Sequence, residues 1–306
     1  MIPKEILAAL RTIQIVTARR ANSELAGTYT SGLRGQGLAF REVRPYQPGD
    51  DVRTIDWNVS ARMNEPFVKV FTEEREMTVM LAVDVSRSML FGTQRTSKGH
   101  VATEVTALLA FSAIRNNDRV GLILGGSQVR RLVAPKRGEK HVMRCVREVL
   151  TGGIDEHTTV MSGAETRLGP ATNLASMLDS LVHVARRRCV AFVVSDFFAD
   201  QMERKLSIAS SKHDVVPIVV TDPRDMDLPD VGLMTFEDPE SGDTLVLDTS
   251  DPKVRAFHTH EMKRLVSERQ QMFRKLGLDS VEVSTAGSYV KPLRDLFSRR
   301  GRRFRG

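Results

Sequence analysis

Cysteine is almost absent from this chain: Cys145 and Cys189 are the only two among 306 residues. They lie far apart and form no metal-ligand spacing. That usage suits a reducing cytosol, with both thiols buried and inert. Long apolar runs are missing too. None approaches the roughly 18–20 residues that cross a bilayer, and Pro3, Lys4 and Glu5 ahead of a mixed amphipathic stretch make no signal-peptide pattern. A cytoplasmic protein is expected. No G-x-x-x-x-G-K-[ST] phosphate loop occurs, and Gly35-Gln36-Gly37 lacks the third glycine of a dinucleotide fingerprint. There is no G-x-S-x-G nucleophile elbow. The seven histidines are scattered. His258 and His260, neighbours near a helix start, are expected to face solvent rather than bind a metal.

What is present is ordinary for a globular protein: 41% hydrophobic and 27% charged residues, enough for one large domain or two unequal ones. The net charge is +7, and much of the excess lies in Arg299–Arg305. One stretch stands out. The apolar run Val79–Val83, with β-branched valines at both ends, stops abruptly at Asp84, Ser86 and Ser88. Such a run reads as a strand buried on both faces. In an open parallel sheet, ligands bind beyond the carboxyl ends of the strands. There, three residues alternating on one loop can turn their oxygens toward one point. Oxygen-only ligands suit a hard cation such as Mg²⁺. The plainer reading is that they cap the following helix.

In chain order, Ile6, Leu10, Ile13 and Val16 predict a helix over residues 5–19 that packs by one apolar stripe. From Thr78 the pattern is regular. A strand at 78–84 precedes a helix around 100–115. A strand at 119–124 turns through Gly125-Gly126-Ser127 into a hairpin partner at 128–133. A helix follows at about 139–150. Another opens at Thr172 or Asn173 and carries Leu174, Met177, Leu178 and Leu181 at helical spacing. Two more buried strands, 190–194 and 215–220, end in Ser195-Asp196 and Thr221-Asp222. A hairpin is expected at 233–247, a helix at 252–275, a strand at 280–284 and a helix at 288–299. Strands alternating with helices argue for an α/β domain with a mainly parallel sheet. The tail 299–306 is low in complexity and expected to be disordered.

Residues 27–76 have a different texture. Arg41, Arg44, Arg53 and Arg62 interleave with Glu42, Asp50, Asp51, Asp56, Glu73 and Glu74 around the turn signal Pro48-Gly49-Asp50. Trp57, the one tryptophan, sits inside this set. The favoured reading is a set of Arg–carboxylate pairs that fix an irregular segment. A recognition surface is the alternative.

Asp84-x-Ser86-x-Ser88, Thr172 in Pro170–Leu174 and Asp196 after a later strand together resemble the metal-ion-dependent adhesion site of a von Willebrand factor A domain. The resemblance implies a Rossmann-type, doubly wound sheet with helices on both faces. It also implies a metal site of Asp84, Ser86, Ser88, Thr172 and Asp196 holding Mg²⁺, with Mn²⁺ or Ca²⁺ as substitutes. The serines and threonine would contact the metal directly and the aspartates partly through water, leaving one position for a partner's carboxylate. Thr158 and Thr159 are a weaker substitute for Thr172. Asp222 fits no ligand role and reads as a turn before Pro223. The segment Phe40–Trp57, followed by Ala61-Arg62 and Glu73-Glu74, resembles the signature of the bacterial family called domain of unknown function 58. Members join such a segment to a von Willebrand A-like domain. The resemblance divides the chain into 1–76, 77–298 and a tail at 299–306. It implies partnership with a MoxR-type AAA+ ATPase in a chaperone-like role.

The leading expectation is thus a non-enzymatic, metal-dependent protein-interaction module acting on a client that offers a carboxylate. A metal-assisted phosphohydrolase is one alternative. It lacks a second acid two positions after Asp84 and a lysine in a convincing motif. Nucleic-acid binding through Arg186-Arg187-Arg188 and the basic tail is the other. The tail is expected to give only weak, salt-sensitive attraction to nucleic acid or to an anionic membrane surface.

Overall fold

A computed structural model describes residues 38–73, 77–94, 96–126, 128–161, 174–199, 202–237 and 243–303. The expected helix at 5–19 lies outside these residues. The chain divides into two compact units, one of them Arg34–Met77 and the other including Thr78–Gly306.

In the smaller unit, strand β1 (Leu38–Pro45) pairs antiparallel with β2 (Phe67–Glu73). A 3-10 turn (Val52–Thr54) and helix α1 (Trp57–Met63) lie between them. The sequence places a carboxylate at each local turn. Asp50 closes the Pro48-Gly49 turn by accepting from the Gln47 amide and from both Arg44 nitrogens at 2.7 and 2.8 Å. Gly49 supplies the left-handed backbone that this turn needs, with φ +107°. Asp51 caps the 3-10 turn, and Asp56 caps α1 while facing Lys69 at 3.5 Å. The expected Arg–carboxylate pairing therefore appears at Arg44–Asp50, whereas Asp51 and Asp56 act as helix caps. Trp57 is exposed.

The larger unit is built on six strands. They are β3 (Thr78–Asp84), β4 (Arg119–Gly125), β5 (Val129–Lys136), β6 (Val190–Ser195), β7 (Asp214–Thr221) and β10 (Val281–Ser284). Their order is β10-β7-β6-β3-β4-β5, with only β5 antiparallel. Counted within this sheet, that is the 3-2-1-4-5-6 order of a doubly wound fold with one reversed edge strand. The expected doubly wound, mainly parallel α/β architecture is thus in place. A separate ribbon, β8 (Leu233–Glu237) with β9 (Thr244–Asp248), forms the expected hairpin.

Helices cover both faces. Met80 of β3 and Ala191 of β6, which are register partners, pack with Leu174, Met177 and Leu181 of helix α4 (Leu174–Val184). Leu206 and Ala209 of α5 (Met202–Lys212) and Phe273 of α7 (Pro252–Lys275) join that cluster. Side chains alternate across a strand, so Phe192 looks the other way. It meets Phe297 of α8 (Val290–Arg303) edge-on at 6.1 Å. Helix α2 (Lys98–Arg115) is almost wholly buried, and α3 runs from Glu139 to Met161. The short α6 (Pro223–Met226) follows β7.

Three expectations need correction. The helix α5 had no counterpart in the sequence reading. Its buried positions Met202, Leu206 and Ala209 are sparse, and Ser207, Ser210 and Ser211 around them suggest a loop. The helix expected at 139–150 continues through Gly152-Gly153 to Met161. The tail does not begin at Arg299. Helix α8 extends to Arg303, and Arg300 is buried in ion pairs with Asp214 and, at 3.3 Å, Asp279. Both cysteines are free and buried, and burial pushes each thiol up to about 12. His260 is exposed, whereas His258 is half-buried with Nδ1 lacking a hydrogen-bond partner.

Candidate functional site

Strand β3 delivers Asp84 to the carboxyl edge of the sheet, where its side chain is fully buried. The Val85 amide donates to the Gly125 carbonyl at 2.7 Å and ties the loop to the end of β4. One Asp84 oxygen accepts from the Ser86 amide at 2.9 Å. The other accepts from the Ser195 hydroxyl at 2.7 Å. Ser86 Oγ and Ser88 Oγ lie 3.0 Å apart, sharing one hydrogen bond. Asp196 follows β6, the neighbour of β3, and is also buried. Burial and the facing charge of Asp196 push the Asp84 carboxyl up to about 6, against the pull of Ser195 and Ser86. Thr172 lies outside the described residues, as do the side chains of Thr158 and Thr159. The structure therefore brings Asp84, Ser86, Ser88 and Asp196 together at one edge.

A lysine completes the cluster, and sequence reasoning missed it. Lys98, the first residue of α2, is buried. Its ammonium lies 2.9 Å from Asp225 and 3.4 Å from Asp196. The rings of Phe91 and Phe198 flank it at 5.5 and 5.8 Å. A cation in the first turn of a helix opposes the macrodipole. That mismatch was the available signal, and it indicates that tertiary carboxylates hold the lysine there. Arg269 of α7 is buried as well. It donates from Nη1 to the Asp196 carbonyl at 2.8 Å and stacks over Phe198 at 5.3 Å. Next to Phe198, Phe197 adopts a left-handed φ of +56° with its ring packed on Phe273. Such backbone strain in a non-glycine residue persists only where its surroundings enforce it.

Asp222 is more than the expected turn. It accepts from the Thr93 amide at 3.0 Å, from the Thr93 and Thr285 hydroxyls, and from Arg224 in its own cap. Burial alone would raise its value, but those hydrogen bonds outweigh it and hold the carboxyl at about 2. It joins three segments at the same sheet edge.

Among the described residues no group of three or more His, Cys, Asp or Glu is placed to hold a metal ion. The Asp84 cluster differs in kind, because it offers two carboxylates and two hydroxyls. That all-oxygen set fits a hard divalent cation. The fit rests on that donor set; burial first and the charge of Asp196 second raise the Asp84 value, and a cation at this edge would offset both.

Residues 42–268 match the family model described as Protein of unknown function DUF58. An uncharacterized protein of Mycobacterium tuberculosis, Rv1480, is 33% identical over 239 residues, covering 78% of this chain and 72% of that one. YeaD of Bacillus subtilis, also uncharacterized, is 27% identical over 42% of this chain and 30% of its own. Among solved structures, the conserved hypothetical protein BatB of Bacteroides thetaiotaomicron aligns over 74% of this chain and 99% of its own, with 14% identity and a TM-score of 0.42. The VWA domain of SpRpn10 aligns over 47% of this chain and 75% of its own, with 16% identity and a TM-score of 0.29. On the strength of the model match and the mycobacterial relative, the chain belongs to the family described as Protein of unknown function DUF58.

Proposed function

We propose that this chain is a non-enzymatic protein-interaction module whose strand-end oxygens recognise partners with the help of a divalent cation. The observation that carries this reading is the convergence of Asp84, Ser86, Ser88 and Asp196 at the ends of two adjacent parallel strands. Those four residues would hold Mg²⁺, with Thr172 as a further ligand. When bound, such an ion supplies residual positive charge that a partner's carboxylate can satisfy. The chain itself contributes orientation. Ser195 and the Ser86 amide fix both Asp84 oxygens, and Arg269 anchors the backbone of Asp196. The partner we infer is a MoxR-type AAA+ ATPase, with this chain acting as adapter or co-chaperone in the cytoplasm. Among the described residues no helix is long and apolar enough to cross a membrane.

Calorimetry tests the reading. Mg²⁺ or Mn²⁺ should bind the wild-type chain and fail to bind Asp84→Ala. Equal binding by both would remove the site from the argument. The phosphohydrolase alternative draws on Lys98, a cation beside two aspartates. However, Lys98 is already paired with Asp196 and Asp225, which leaves its charge unavailable to a phosphate. Phosphatase turnover that disappears in Asp84→Asn would favour that alternative.

A further inference from the structure

Two arginines of the basic C-terminal run, Arg299 and Arg302, line a cleft. Helix α7 serves one face of the sheet through Phe273, and α8 serves the other through Phe297. They converge at β10, the edge strand. Between them opens a cleft of about 740 Å³, within the size range of small-molecule sites. Each helix contributes one stripe. On α7 Arg269 is followed four and five positions later by Phe273 and Arg274, and on α8 Arg299 and Arg302 lie three apart.

The lining carries four arginines, from positions 269, 274, 299 and 302, against two carboxylates, Glu282 and Asp295. Arg274, Arg299 and Arg302 are exposed, and none has an ion pair among the described residues. Arg269 is different. It is buried, its Glu282 contact is loose at 3.7 Å, and its Nε has no hydrogen-bond partner. A desolvated guanidinium with an unsatisfied donor is costly unless something offsets it. Apolar surface from Val219, Leu278 and Pro292 lines the same cleft. Mutual repulsion of several guanidinium groups around one concavity is relieved by an anion, and the planar fork of arginine matches phosphate oxygens in pairs.

We propose that the cleft between α7, α8 and β10 binds a small phosphate-bearing anion of about nucleotide size. The phosphates sit among Arg274, Arg299 and Arg302, and the apolar wall receives the remainder of the ligand. The site is distinct from the Asp84 cluster. It stands or falls independently of the metal reading, although Arg269 touches both, through the Asp196 carbonyl on one side and the cleft lining on the other.

Inorganic pyrophosphate and ADP are the probes, titrated by calorimetry into the full chain at physiological ionic strength without added metal. Wild type should bind pyrophosphate saturably. ADP should bind more tightly than pyrophosphate, because the apolar wall receives its nucleoside; weaker binding of ADP would remove the nucleotide from the proposal. The double variant Arg299→Gln, Arg302→Gln should weaken pyrophosphate binding at least tenfold, and Arg274→Gln should do so by a smaller factor. Both variants alter exposed side chains, and circular dichroism verifies that they remain folded. A control pair, Arg186→Gln with Arg188→Gln, removes the same charge from an exposed loop elsewhere and should leave binding unchanged. Absence of saturable pyrophosphate binding by wild type overturns the proposal. So does an equal loss in the control, which would show attraction to net charge alone.

Discussion

Lys98 carries the charge balance of the strand-end cluster. Its ammonium already neutralises part of Asp196 and Asp225, so it opposes any second cation beside Asp84. Replacing it by methionine keeps the volume and removes the charge. Breaking a buried ion pair on one side leaves uncompensated carboxylates and costs about 3–5 kcal/mol. The metal-free Lys98→Met chain should therefore melt well below wild type. Mg²⁺ should recover much of that loss and bind about tenfold more tightly than in wild type, because the competing charge is gone. Melting curves with and without Mg²⁺ check this; a variant that Mg²⁺ does not rescue would separate Lys98 from the metal site. Asp222 gives a pH signature. Its native value of about 2 lies below the ordinary 3.8, so ionisation favours the folded state. That contribution, about 2 kcal/mol, is complete above the ordinary value and is lost as pH falls through 2. Asp222→Asn should lower stability by about that amount at pH 7 and by almost nothing at pH 2, as measured by denaturant unfolding.

Among the elements, α8 departs furthest from expectation. Its apolar positions, Val290, Leu293, Leu296 and Phe297, follow helical spacing and are buried, and that much was legible. The arginines after Phe297 suggest the helix ends and a solvated tail begins. Arg300 instead turns inward to Asp214, the first residue of β7, and Asp279, before β10. Those partners are remote in sequence, so no local pattern announces the pairing. Truncation after Ser298 removes the arginine and strands both carboxylates. We expect the melting temperature to fall by roughly 10 °C, whereas removing only residues 304–306 should leave it nearly unchanged. A truncation at Ser298 without thermal cost would return the segment to the status of a dispensable tail. The helix α5 illustrates the opposite case. Its sequence is weakly amphipathic, and it is held by packing on the sheet rather than by its own propensity.

For the whole molecule, the inferred adapter role turns on whether a partner reads the sheet edge. Association with a MoxR-type ATPase should require Mg²⁺, fail in EDTA, and fail in Asp84→Ala and Ser86→Ala chains that remain folded. Co-purification of each variant measures it, and undiminished association in all three conditions would place the docking surface elsewhere. The sequence by itself determined the chain order of the strands in the large unit and of its helices other than α5 and the short α6. Buried parallel strands such as Val79–Val83 and Val190–Val194 are continuous apolar runs, and a run followed by abrupt oxygens marks a strand end. It also determined the turn at Pro48-Gly49-Asp50, because that interaction closes within a few residues. Only the tertiary structure decided which charges meet. Lys98 with Asp196 and Asp225, Arg269 with the Asp196 carbonyl, Asp222 with Thr93 and Thr285, and Arg300 with Asp214 all join segments far apart in the chain. Apolar periodicity records which face of an element is buried. The partner of a buried charge is set by strand order and helix placement, and those exist only once the sheet has assembled.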